Sequence, residues 1–425
     1  MEGQTLNLIL LVIVLLLIDL YVLNGVRGLS KKWRFLRTEW FPKAYWLFSA
    51  VMLTGILLVV FIKVGLVVRL SFIMLFFIVS LFKLCYVIFI LIDDLRRLGI
   101  YLVKKIKKPT QRPAEDITSN PIPRSEFLMK AGLLAGAVPL AGIKLSMGHG
   151  KYDYHVKRHQ LYLKNLPKAF DGMKLGQISD IHSGSFFNQK AVLGGVDMLM
   201  REKADVIFFT GDLVNDLAEE MRDYQDIFTK VKAPLGVFST FGNHDYGDYS
   251  KWPSMAARRK NHNDLVVTHK NMGWNLLQNE NRRLKVGNEE IGILGLENWS
   301  SLSRFPKYGN MALATKNTDD LPVKLLLSHD PSHWRAQVLP HYPQIDMMFS
   351  GHTHGMQMGI QTKDFQWSPV EYIYNEWAGF YHEGPQQLYV NVGYGFLMFQ
   401  GRVGILPEIT IFELKSGTDP SHPKA

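Results

Sequence analysis

The chain has 425 residues, too many for one average domain, and its single cysteine, Cys85, excludes both a disulfide framework and a thiolate metal cluster. The formal net charge of +10 is uneven: residues 1–112 hold 16 Lys/Arg against 5 Asp/Glu, leaving 32 against 33 in the remainder. The basic excess lies beside apolar runs, so membrane topology accounts for it and nucleic acid is not the expected partner.

Residues 6–23, LNLILLVIVLLLIDLYVL, are apolar except for Asn7 and Asp19, and a helix of about 20 such residues crosses a bilayer. A cleaved signal peptide is the rival reading, but no Lys or Arg precedes the run and no small-residue cleavage site follows it. Further spans are expected at 44–62 and 70–92, completing a helical module over 1–108. Lys83 interrupts the third and must face other helices or snorkel. Basic residues cluster from Arg27 to Lys43 and from Arg96 to Arg112, with only Lys63 and Arg69 between the second and third runs. The positive-inside rule then puts the N-terminus outside an inner (cytoplasmic) membrane and residues 96–125 in the cytoplasm. RRLGIYLVKKIKK could also grip anionic headgroups, although a juxtamembrane basic face reads first as a topology determinant.

Residues 109–126 read as a Pro-rich linker. A fourth hydrophobic segment follows at 127–146, broken by Lys130 and Pro139. It reads either as a short fourth span, which puts the rest of the chain outside, or as an interfacial helix that keeps it on the cytoplasmic face; the first is preferred. The stretch is also similar to a twin-arginine export signal, except that Ser125 stands for the second arginine and Met129 for the lysine.

From residue 173 a pattern recurs: a short apolar run ends in a polar cluster. MKLGQISDIHSG leads to Asp180 and His182, ADVIFFTGDLVND to Asp212, and GVFSTFGNHDYG to Asn243, His244 and Asp245. VKLLLSHDP then leads to His329, and QIDMMFSGHTHG to His352 and His354. Strand-like runs alternating with segments such as 188–203 indicate an α/β fold, and such sheets build sites at the carboxyl ends of strands. Taken singly, each cluster also fits a helix cap or turn; five at five strand ends are harder to dismiss.

Asp-x-His, Gly-Asp, Gly-Asn-His-Asp, a later His and Gly-His-Thr-His, in that order, resemble the calcineurin-like metallophosphoesterase superfamily over about residues 150–414. LYVNVGYGF and LPEITIFEL resemble the closing strands of its membrane-associated bacterial branch, leaving 415–425 as a polar tail. The resemblance implies a sandwich of two mixed β-sheets flanked by helices, and two divalent ions. Asp180, His182, Asp212 and His354 would hold the first ion, and Asp212, Asn243, His329 and His352 the second. A nitrogen and oxygen ligand set without sulfur favours manganese, zinc or iron. Two adjacent cations neutralise a phosphoester and activate a water, and His244 would act as general acid.

Relatives often carry Asp where Asn215 stands, to orient that histidine; Asp216 follows it. Met356 stands where the branch often has glycine, and Val392 where it often has a polar residue. The implied activity is hydrolysis of a phosphodiester or pyrophosphate, with membrane lipids and a phosphorylated, lipid-linked substrate as partners. That branch includes enzymes similar to UDP-2,3-diacylglucosamine hydrolases. An exported phosphodiesterase of broader specificity is the alternative, and an inactive scaffold the rival of another class. Trp367, Tyr372, Tyr374, Trp377, Phe380 and Tyr381 read as core packing or as a lip for an acyl chain. Lys251, Arg258, Arg259 and Lys260 read as a solvated face or a phosphate contact.

Overall fold

The computed structural model describes residues 2–28, 33–61, 66–106, 125–148, 150–362, 365–398 and 400–418. Most of the expected linker at 109–126 and of the tail at 415–425 lies outside them. The chain divides into two compact units, Met1–Lys144 and Leu145–Ala425.

The first unit is helical: α1 (Glu2–Arg27), α2 (Trp40–Phe61), α3 (Leu66–Ile106) and most of α4 (Glu126–Gly148). Stretches of the first three, Leu10–Arg27, Trp40–Val59 and Leu75–Ile106, are long and apolar enough to cross a membrane. Leu17, Leu47 and Ile88 face outward, as a lipid-facing surface requires. The third helix does not stop at residue 92. Its 41 residues reach about 60 Å at 1.5 Å per residue, so its basic end continues past the apolar stretch. There Arg96 and Arg97 pair with Asp93 and Asp94 one turn back, at 2.9 and 3.0 Å.

Lys83 faces other helices. It forms an ion pair with Asp19 of α1 and donates to Ser49 Oγ of α2 at 3.3 Å, while Tyr45 OH of α2 donates to Asp19 at 2.7 Å. The two charges that interrupt apolar runs therefore satisfy each other between three helices. α4 runs back along α3. Ser125 N donates to Asp93 at 3.1 Å, Tyr86 OH lies 3.5 Å from Met129 Sδ, and a Cβ on Gly132 or Gly136 would fall 2.8 Å from Tyr86 or Phe82.

The second unit contains, in chain order, β1 (His155–Leu163), β2 (Lys174–Ile178), β3 (Val206–Phe209), β4 (Val237–Ser239), β5 (Asn275–Leu276), β6 (Glu280–Val286), β7 (Glu289–Gly295), β8 (Lys324–Leu327), β9 (Met347–Ser350), β10 (Ile360–Gln361), β11 (Gln366–Trp367), β12 (Gly379–Glu383), β13 (Gln386–Val390) and β14 (Glu408–Ser416). They form two six-stranded sheets, β1-β14-β2-β3-β4-β5 and β12-β13-β9-β8-β7-β6, and a small β10-β11 ribbon. Both large sheets are mixed, with parallel centres: β2, β3 and β4 run together, as do β7, β8 and β9. Every residue of β3, β8 and β9 is buried, which explains the apolar runs at 206–209, 325–327 and 347–349.

Phe208 of the first sheet meets Phe349 of the second at 5.2 Å between ring centroids. These rings, with Leu175, Leu325 and Phe412, form the core between the sheets. The outer face of the first sheet packs on the helix Gln189–Arg201, started by Asn188 Oδ1 accepting from Ala191 N at 3.1 Å, and on Met255–Met272, capped by Ser254. The second sheet covers its outer face with Trp334 and Val338. The sandwich of two mixed sheets flanked by helices is thus the one expected.

Candidate metal centre

Five strand ends supply the site. β2, β3 and β4 of one sheet and β8 and β9 of the other stop at Ile178, Phe209, Ser239, Leu327 and Ser350. The polar clusters stand just beyond these ends, on loops gathered at one edge of the sandwich. Asp180, His182, Asp212, His352 and His354 all have φ between 49° and 73°, a left-handed conformation rare for residues with a Cβ. Such strain persists where surrounding structure over-determines it. Gly351 serves close approach: a Cβ there would collide with Ser179 Oγ and the Asp180 carboxylate, as one on Gly242 would with Asp212. Met356 adopts φ 47° where the branch often has glycine.

The side chains form two groups, Asp180 with His182 and His354, and Asp212 with His329 and His352, each with its donor atoms within 4.8 Å of one another. In the first, His182 Nε2 and His354 Nε2 lie 3.0 Å apart, and His354 Nε2 lies 3.1 Å from Asp180 Oδ1. In the second, His329 Nε2 lies 3.1 Å from Asp212 Oδ2 and 3.2 Å from His352 Nδ1. Asp212 Oδ2 is also 3.5 Å from His182 Nε2, so one carboxylate oxygen faces both groups.

Hydrogen bonds to the outer ring nitrogens fix which nitrogen faces inward. His329 Nδ1 donates to the Thr210 carbonyl at 2.7 Å, and His182 Nδ1 to Asn215 Oδ1 at 3.1 Å. His352 Nε2 donates to Tyr374 OH at 2.8 Å, and that hydroxyl donates to Asp330 at 3.2 Å. Lone pairs of His182 and His352 therefore point inward, toward His354 Nε2 and His329 Nε2, where close nitrogens repel unless a positive charge lies between them. Asn243 Oδ1 is buried without a hydrogen-bond partner, a costly state that a cation would relieve. The residues present thus fit two divalent cations.

The electrostatics follow from burial and mutual field. Burial pushes His182 well below the usual imidazole range and His352 down to about 4. At His329 burial acts the same way, but Asp212 and Asp180 outweigh it and lift the ring to about 10. Burial alone would raise Asp212, yet His329 and His244 hold it well below the carboxylate range.

Asn215 does not orient His244 through its side chain. Its amide oxygen serves His182, and its backbone carbonyl accepts from His244 Nδ1 at 2.6 Å. An amide is neutral and a carbonyl is available from any residue, so aspartate is not needed for the His244 contact. The backbone N–H of His244 donates to Asp212 Oδ1 at 2.9 Å. Asp216 stands outside both groups and turns toward Tyr249 and Ser250. Val392 is fully buried beside Val370 and Ile405, so an apolar residue suits its position.

Sequence reading missed three supports. Asp245 accepts from the backbone N–H groups of Asp212, Leu213 and Gly242, each at 2.9 Å, pinning two site loops together; burial and Asp212 push its carboxyl up to about 8. Tyr374 orients His352. Buried Arg402 donates to the carbonyls of Val392 and Gly395, at 2.8 and 2.6 Å, and braces the loop against Asp180. Asp245 was readable only as part of its motif, and the others lie far from it in sequence.

Residues 173–356 match the family "Calcineurin-like phosphoesterase", and residues 5–151 match 4TM_phosphoesterase, "Probable Calcineurin-like phosphoesterase, transmembrane domain". An uncharacterized metallophosphoesterase of Bacillus subtilis, YkuE, is 28% identical over 307 residues, covering 69% of this chain and 98% of that protein. Phosphodiesterase YaeI of Escherichia coli is 26% identical, covering 64% and 95%. UDP-2,3-diacylglucosamine pyrophosphatase LpxG of Chlamydia trachomatis is 28% identical, covering 54% and 81%. The match spans only about half of two animal relatives, 56% and 50% of their lengths. Joined to an apolar helical unit, a two-sheet sandwich and paired strand-end clusters, these matches mean that the chain belongs to the membrane-associated calcineurin-like metallophosphoesterases, metal-dependent hydrolases of phosphoric esters and anhydrides.

Proposed function

We propose that the chain hydrolyses a phosphodiester or pyrophosphate bond in a lipid-linked substrate. The observation that carries this reading is Asp212 Oδ2 facing both histidine groups beside the unpartnered Asn243 Oδ1. Asp180, His182, His354 and Asp212 would hold one ion, and Asp212, Asn243, His329 and His352 the other, with manganese, zinc or iron suiting the nitrogen and oxygen donors. Two such ions supply charge neutralisation of the phosphate and activation of the attacking water. His244 donates a hydrogen bond from Nδ1–H to the Asn215 carbonyl, which leaves Nε2 to hold or deliver a proton at the leaving oxygen. Asn215 acts through His182.

The names of the E. coli and Chlamydia relatives support diester and pyrophosphate chemistry. A lipid-linked substrate is supported by the helical unit, since tethering concentrates a site on a two-dimensional pool. Exposed Met356, Ile360, Phe365 and Met398 beside the last histidine loop suit an acyl chain. We place the second unit outside an inner membrane. An interfacial helix lies across the spans, whereas α4 runs antiparallel to α3 along Phe82–Asp93, as a fourth span does. That side favours an exported enzyme over one that acts on a precursor in the cytoplasm.

The test is to incubate the metal-loaded full-length protein with extracted membrane lipids and follow losses by mass spectrometry. A phosphate-linked lipid should disappear as its two halves appear; no loss under conditions that cleave a chromogenic diester would count against a lipid substrate. An alkaline phosphatase fused after Ala425 should be active, and inactivity would put the unit in the cytoplasm.

A further inference from the structure

We propose that Arg304 is a specificity-determining residue that binds the second phosphate of a diphosphate substrate, next to the phosphate being cleaved. The inference rests on the hydrolase reading above and chooses between its two bond types.

Arg304 is exposed and stands on the loop after β7. Its guanidinium lies over the ring of Phe305, 4.6 Å from the centroid. That ring in turn meets the His352 ring edge-on at 4.7 Å. The charge of Arg304 also acts on Tyr374, whose hydroxyl contacts His352 Nε2 at 2.8 Å. Phe305, a direct neighbour of the imidazole, therefore places the cation next to the second histidine group. No ion pair joins it to a carboxylate among the described residues.

Its side of His352 identifies the ligand. His352 turns Nδ1 inward to His329 and Nε2 outward to Tyr374. Arg304 is linked to His352 through Phe305 and Tyr374, the neighbours of that ring other than His329. A phosphate held between the two groups lies on the Nδ1 side of His352, and an anionic neighbour reaching past that ring would meet Arg304. A planar guanidinium stacked on an aromatic ring keeps its donors in the ring plane, free for phosphate oxygens. A simple diester has no second anion there; a diphosphate has one. Hydrolysis of the diphosphate forms one P–O bond from water and breaks the bridging P–O bond. The bridging oxygen leaves with the second phosphate, whose charge Arg304 would balance, and the protons of water pass to the products or solvent.

The test compares parent, Arg304→Ala and Arg304→Lys, as full-length manganese-loaded proteins, on detergent-solubilised CDP-diacylglycerol and on bis-p-nitrophenyl phosphate. The ratio of kcat/KM for diphosphate over diester should fall about 10- to 100-fold in Arg304→Ala. Arg304→Lys should recover part of that fall. An unchanged ratio, whether both rates hold or both drop, overturns the proposal, as does a parent that cleaves the diester alone. A parent inert on both overturns the hydrolase reading itself. Because the quantity read is a ratio, partial misfolding of a variant does not imitate the expected result.

Discussion

Asp212→Asn should remove hydrolysis of a chromogenic phosphodiester by on the order of a thousandfold or more while leaving the fold intact. Asparagine keeps the shape and one oxygen but loses the charge, and Asp212 is the carboxylate whose Oδ2 faces His182 at 3.5 Å and His329 at 3.1 Å. On the proposed assignment both cation sites would lose their common ligand, so metal content should fall together with rate. The backbone near Asp212 is pinned by Asp245, which the substitution leaves in place, so the circular dichroism spectrum should match the parent's. Asp320→Asn is the control, because Asp320 is an exposed carboxylate paired with Arg283 of the edge strand β6. Parent-level turnover by Asp212→Asn would remove the enzyme reading and leave a scaffold with a hydrolase fold.

The second large effect is expected in the helical unit. Lys83→Met should destabilise the full-length protein in micelles by about 3 kcal/mol, because it leaves a buried carboxylate without its cation. Asp19 is 2% exposed and, among the described residues, keeps only the Tyr45 hydroxyl at 2.7 Å. Asp19→Asn should cost a similar amount by stranding the ammonium. The double variant should be more stable than the sum of the two losses predicts, since removing both charges removes the desolvation cost with the attraction. Additive losses measured by thermal unfolding would mean that the two residues do not act as a pair.

What could be read from the sequence depended on the range of the interaction. The order of the five polar clusters was legible because each follows its own strand within a few residues, and parallel strands bring such ends to one edge. The apolar runs of β3, β8 and β9 were legible for the same local reason. Their neighbours in the sheet were not, since register depends on partners far along the chain: β14 enters the first sheet between β1 and β2. Asp19 and Lys83 each read as an interruption, and their pairing needed the rotation of three helices. Tyr374 read as one aromatic among several, although a single hydroxyl of that segment fixes the His352 tautomer. Asn215 was expected to serve His244, and the tertiary turn exchanged roles: its side chain serves His182 and its carbonyl serves His244.

Anomalous scattering from crystals of the full-length protein loaded with manganese tests the central claim most directly. Two peaks should appear about 3.5–4 Å apart, one beside Asp180, His182 and His354, the other beside Asn243, His329 and His352, with Asp212 Oδ2 between them. A lone peak remote from Asp212, or saturating manganese with no peak at either group, would contradict the account.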